Sequence, residues 1–262
     1  MAYFLICTAA LLVSALTFFS GFGLGALLMP VFALFFPIEV AVAATAIVHM
    51  ANNFFKLALV GRYAVWRVVA LFALPGAALA FVGAFLLTRI ADIAPFATYE
   101  LGGRSHEISL VKVVIASLIA FFSVFQLHPY FGRIPFERKW LPVGGAVSGF
   151  FGGLSGHQGA LRAAFLAKMG FDAQAYIGTS VVCSTTVDIA RMTVYGIALF
   201  GGHFGELGEG KVTGLVIAGI AAAFTGALLG SRYMKKLTME AVRVLVGVML
   251  MALAIAIGSG LV

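Results

Sequence analysis

Residues 1–38 contain no Asp, Glu, Lys or Arg. A straight helix of that length would span about 57 Å, nearly twice the hydrocarbon thickness of a bilayer. The run must therefore tilt, fold back or break. Gly21, Gly23 and Gly25 mark the predicted break, with Pro30 and Pro37 beyond it. A signal peptide is a poor reading, because no basic region leads the run and the apolar stretch outruns the usual hydrophobic segment.

The rest of the chain continues in the same solvent. Of its 262 residues 62% are hydrophobic and 10% charged. A soluble domain carries roughly 25% charged residues, so this chain cannot cover a water-facing surface, and membrane lipid is an implied partner. Further apolar runs cover about 39–60, 67–88, 109–128, 140–169, 173–200, 211–231 and 241–260. The net charge of +7 falls in short loops, as in oriented membrane proteins. No aromatic–basic pattern points to nucleic acid. Cys7 and Cys183 both lie in apolar runs, which argues against a disulfide framework or a metal cluster.

The Gly-rich run and the span after it occur twice. SGFGLGALLMP (20–30) leads to FPIEVAVAATAIVHMANNFFKLALVG (36–61). SGHQGALRAAF (155–165) leads to FDAQAYIGTSVVCSTTVDIARMTVYG (171–196). At an offset of about 135 residues Thr45 falls on Ser180, His49 on Ser184, Asn53 on Asp188 and Lys56 on Arg191. A duplicated unit fixes architecture before any other signal. It predicts a first repeat over 1–132, a basic linker over 133–139 and a second repeat over 140–262.

Loop charge selects a topology. If all eight runs crossed fully, the basic loops would divide between both faces. If each Gly-rich run instead folds back, Arg62, Arg67, Arg133, Arg138, Lys139, Arg162, Lys168, Arg232, Lys235 and Lys236 all reach the cytoplasmic side. The expected fold is an all-α polytopic membrane protein of two inverted repeats. Each is a broken or re-entrant Gly-rich helix followed by three transmembrane helices.

Two polar sets interrupt the apolar spans. At the bends, Gly21, Gly23 and Gly25 leave backbone N–H groups free to meet a ligand. Ser155, Gly156, His157 and Gln158 occupy the equivalent bend, and Arg162 lies one turn beyond. A following helix N-terminus favours an anion, although small residues also serve close helix packing. On the next spans His49, Asn53 and Lys56 share one face at i, i+4 and i+7, and Ser184, Asp188 and Arg191 repeat that spacing. Thr45, Asn52 and Ser180 adjoin them. Polar faces in a span line a cavity or the protein interior. The competing structural reading has Asp188 and Arg191 neutralise each other while Lys56 snorkels to the interface. The excess of cations points to a small anionic substrate.

These features resemble the sulfite exporter TauE/SafE family of membrane permeases, and the resemblance covers nearly the whole chain. GFGLGALLMP keeps the family's Gly-rich, Pro-ended pattern, whereas GHQGALRAAF has fewer glycines and no Pro. The resemblance implies a multi-pass inner-membrane transporter of sulfur-containing anions such as sulfite or organosulfonates. An anion channel or another small-anion permease is the alternative, and a homodimer is compatible with either. No metal-ligand spacing or nucleophile elbow supports an enzyme, no Walker A motif is present, and no cofactor is expected. Should transport be proton-linked, His157 is the favoured group, ahead of His49, Asp188 and Glu39.

Overall fold

The helices fall into one order twice. The computed structural model describes residues 1–18, 24–128, 136–166, 169–200, 210–233 and 239–261. Its first set is α1 (Ala2–Leu16), α2 (Leu24–Ala33), α3 (Ile38–Val60), α4 (Trp66–Ala91) and α5 (Leu110–Leu127). The second is α6 (Leu141–Ser155), α7 (Gly159–Leu166), α8 (Ala173–Phe200), α9 (Gly210–Tyr233) and α10 (Met239–Gly258). Each set is a short helix pair followed by three long helices. The expected polytopic membrane architecture is present. Helices over 38–63, 66–91, 110–127 and 210–232 are long and apolar enough to cross a membrane, and α8 is longer still at 28 residues but carries a polar face. Gly21 and Gly23 lie outside the described residues, as do Arg133, Lys168, Lys235 and Lys236.

One small element of another kind joins the helices. The polar loop between α4 and α5 forms an antiparallel hairpin of β1 (Ala97–Leu101) and β2 (Arg104–Ile108). Gly102 and Gly103 turn it with φ of 61° and 74°, the left-handed geometry that a two-residue hairpin turn requires. The Tyr99 hydroxyl donates to the Ser259 carbonyl, and His106 Nδ1 lies 3.1 Å from the Gly260 carbonyl. The hairpin thus closes over the residues that follow α10, whose backbone N–H groups cap the last carbonyls of that helix.

Close contacts give the helix directions. Asn53 meets Ser184 while Val60, about two turns later, lies against Gly178; α3 and α8 therefore run antiparallel. So do α5 and α10, where Leu127 touches Gly247 and Ala116 touches Gly258. By contrast α4 and α6 run parallel, with Phe72 against Gly145, Gly76 against Gly149 and Ala80 against Gly153. The same holds for α1 and α9, with Leu11 against Gly226 and Ala15 against Gly230. The missing side chains let backbone meet backbone, the usual device of membrane helix packing.

The second Gly-rich run is a hairpin rather than a broken through-going helix. Phe165, near the end of α7, fills the space beside Gly144 near the start of α6. Its ring also stacks on Phe136, which precedes α6, at 4.0 Å between centroids. Had the helix continued through the bend, residues 144 and 165 would lie about 30 Å apart. Gly156 turns the apex with φ +79°. In the first set α1 packs on α2, and Gly25 at the start of α2 lies against the Gly156 carbonyl. The start of α2 thus meets the α6–α7 bend inside the molecule.

These directions sort the charges. The end that gathers the start of α4, α6 and α8 and the close of α9 carries Arg62, Arg67, Arg138, Lys139 and Arg232 among the described residues, against Glu137 and Asp172. The opposite end holds the β-hairpin and is mixed, with Glu39, Asp92, Glu100 and Glu107 beside Arg89, Lys112 and Lys211.

Candidate functional site

Where α3 crosses α8, their polar faces interlock. Asn53 Nδ2 donates to Ser184 Oγ at 2.9 Å and to Asp188 Oδ2 at 2.6 Å. His49 Nδ1 lies 2.8 Å from the same Asp188 oxygen. The 135-residue offset exchanges His49 with Ser184 and Asn53 with Asp188. It therefore turns the Asn53–Ser184 contact into the His49–Asp188 contact. The duplicated sequence is written into one side-chain cluster.

The second bend completes the network. Arg191 pairs with Asp188 Oδ1 at 2.8 Å and donates to the Gly152 carbonyl at 3.3 Å. Gln158 Nε2 donates to Asp188 Oδ1 at 3.1 Å, while its Oε1 accepts from Arg162 Nη1 at 2.9 Å. Arg162 Nε donates to Ser180 Oγ, also at 2.9 Å. Asp188 therefore carries four donors, and α3, α7, α8 and the α6–α7 bend are tied through it. Such a connected network is what allows buried charge at all.

A small pocket opens between the bends, lined by Gly25 and Ala26 of α2, His49, the bend residues Gly156 to Gln158, the start of α7, and Arg162. Both α2 and α7 begin at this pocket. Their first-turn amides lack helical partners and their dipoles present positive ends. Among the described residues, the buried formally charged side chains other than histidine are Lys56, Arg162 and Arg191 against Asp188 alone. Donors, dipoles and net positive charge together suit an anion.

The remaining predicted residues divide. Ser155 lies at the bend and its Oγ donates to the Phe151 carbonyl at 3.1 Å. Asn52 turns away toward α1, where Ser14 Oγ donates to its Oδ1 at 3.3 Å. Thr45 is buried near the cluster without a partner for its hydroxyl. Lys56 does not snorkel: it is 5% exposed, with its ammonium 5.5 Å from the centre of the Phe18 ring. The Asp188–Arg191 pair of the competing reading does form, but as part of the larger network. Phe122 and Gln126 of α5 also line the pocket, and sequence reasoning missed them. A lone amide in the apolar 109–128 span was the signal for Gln126. Among the described residues no group of three His, Cys, Asp or Glu could hold a metal ion.

The profile of the sulfite exporter TauE/SafE family matches residues 6–257. The chain belongs to that family. No curated protein and no solved structure matches it. The TauE/SafE match runs from α1 to α10 and so takes in both bends, the α3–α8 cluster and the pocket. Its family consists of membrane transporters of sulfite and related sulfur anions rather than enzymes. In this TauE/SafE member the pocket brings the start of α2, the second bend and the buried Arg162 together.

Proposed function

We propose that this protein is a secondary transporter that exports a small sulfur oxyanion, sulfite or an organosulfonate, across the cell inner membrane. The observation that carries the reading is the convergence of two helix N-termini and Arg162 on one pocket between the bends. The antiparallel pairing of α3 with α8 and of α5 with α10 supports two inverted repeats, 1–132 and 140–262, joined by the 133–139 linker. Rocking one repeat against the other would open the pocket to each face in turn. The basic end then faces the cytoplasm and both chain ends face outward. Membrane-impermeant labelling of cysteines introduced at each end of the chain tests this: reaction at only one of the two ends contradicts the inverted arrangement.

Counterflow in proteoliposomes tests the carrier reading. Preloaded sulfite should drive transient accumulation of labelled sulfite, which a channel cannot sustain. Arg162→Gln should lower that uptake at least tenfold while the protein stays monodisperse, since a charge-assisted hydrogen bond contributes about 1.5–3 kcal/mol. Wild-type uptake in the variant would remove Arg162 from the substrate path.

A further inference from the structure

Resting on the anion site proposed above, we infer that the pocket selects an oxyanion carrying its own O–H donor, of which hydrogen sulfite is the fitting chemistry. Anions of equal charge without that hydrogen are disfavoured.

Most of the pocket offers donors: the Arg162 guanidinium and the first-turn amides of α2 and α7. The side formed by α5 and the second bend differs. His157 Nδ1 lies 2.9 Å from the Ser155 carbonyl and 3.2 Å from Ser155 Oγ. A carbonyl only accepts, and Ser155 Oγ directs its own hydrogen to the Phe151 carbonyl. Nδ1 therefore carries the ring hydrogen, and Nε2 of the neutral imidazole is a bare acceptor. That nitrogen is buried with no partner among the described residues, on a side chain only 3% exposed. The ring cannot easily turn away, because it lies parallel to Phe122 with 6° between planes and 5.8 Å between centroids.

A buried acceptor left without a donor is costly, and native proteins rarely tolerate one. An anion whose oxygens are all lone pairs would meet donors on one side and aim lone pairs at Nε2 on the other. An oxyanion with one O–H satisfies both sides: its charged oxygens face Arg162 and the amides, and its hydrogen is donated to Nε2. A dianion meeting an imidazolium gives the same complex with that hydrogen on the ring. The site is thus complementary to an anion plus one proton held between ligand and His157.

The test is ligand-induced thermal stabilisation of the purified full-length protein at mildly acidic pH. It compares hydrogen sulfite with methanesulfinate, which has the same charge and a methyl group in place of the hydroxyl. Wild type should bind hydrogen sulfite about tenfold more tightly, the worth of one hydrogen bond whose loss strands a buried acceptor. In His157→Phe, which keeps a ring against Phe122 and removes Nε2, the ratio should fall toward one. Equal affinities in wild type, or an undiminished preference in His157→Phe, would overturn the inference while leaving the anion site standing. Stabilisation by neither anion would remove the site and the inference together. If His157→Phe does not fold, the wild-type ratio still decides.

Discussion

Asp188→Asn should abolish most of the folded, monodisperse protein recovered in detergent. The Asp188 carboxylate is fully buried. It accepts from His49, Asn53, Gln158 and Arg191. Asparagine keeps the shape but removes the charge and turns two hydrogens toward groups that are themselves donors. Arg191 would be left in the interior without its carboxylate, and breaking one side of a buried ion pair costs about 3–5 kcal/mol. Size-exclusion profiles and thermal unfolding midpoints measure the effect. An unchanged midpoint would mean that the α3–α8 crossing is held by packing alone.

Gly149→Leu should be as damaging for a purely steric reason. A Cβ on Gly149 would overlap the Gly76 carbonyl and its neighbouring backbone atoms. No flexible side chain stands there to yield, so α4 and α6 must separate along their parallel contact. Overpacking a tight core costs about 1–3 kcal/mol per site, and more where backbone must move. Gly196→Ala in α8 is the internal contrast, because a Cβ there meets nothing within 4 Å. That variant should gain about 0.5–1 kcal/mol from helix propensity. Stability of both variants near wild type would show that the glycine contacts between α4 and α6 are not closely packed.

The sequence carried more of the fold than of the pocket. Period and charge were enough to place the helices, because lipid demands long apolar spans and tolerates polar groups only at ends and sites. The duplication aligned His49 with Ser184 and Asn53 with Asp188, and the i, i+4 spacing put each pair on one face, but their meeting where α3 crosses α8 depends on long-range packing. Helical phase explains a partial miss. Asn52 and Asn53 are about 100° apart around α3, so only one faces α8, and the other reaches Ser14. The β-hairpin was readable from the Gly102–Gly103 pair between alternating segments, a signal outweighed by the helical character of everything around it. Phe122 and Gln126 were not readable as pocket residues, because nothing local in α5 states that it docks against the second bend. The hairpin form of α6–α7 likewise depends on the long-range meeting of Phe136, Gly144 and Phe165, and loop charge had pointed to it only indirectly.

The central claim is that a small sulfur oxyanion binds between the two bends. Selenite has the shape and charge of sulfite and scatters X-rays anomalously, so crystals of the protein grown with selenite test that claim most directly. The account predicts an anomalous peak in the pocket between Gly25, Gly156 and Arg162, displaced by excess sulfite and absent in Arg162→Gln. Selenite found only elsewhere on the protein, with that pocket empty, would contradict it.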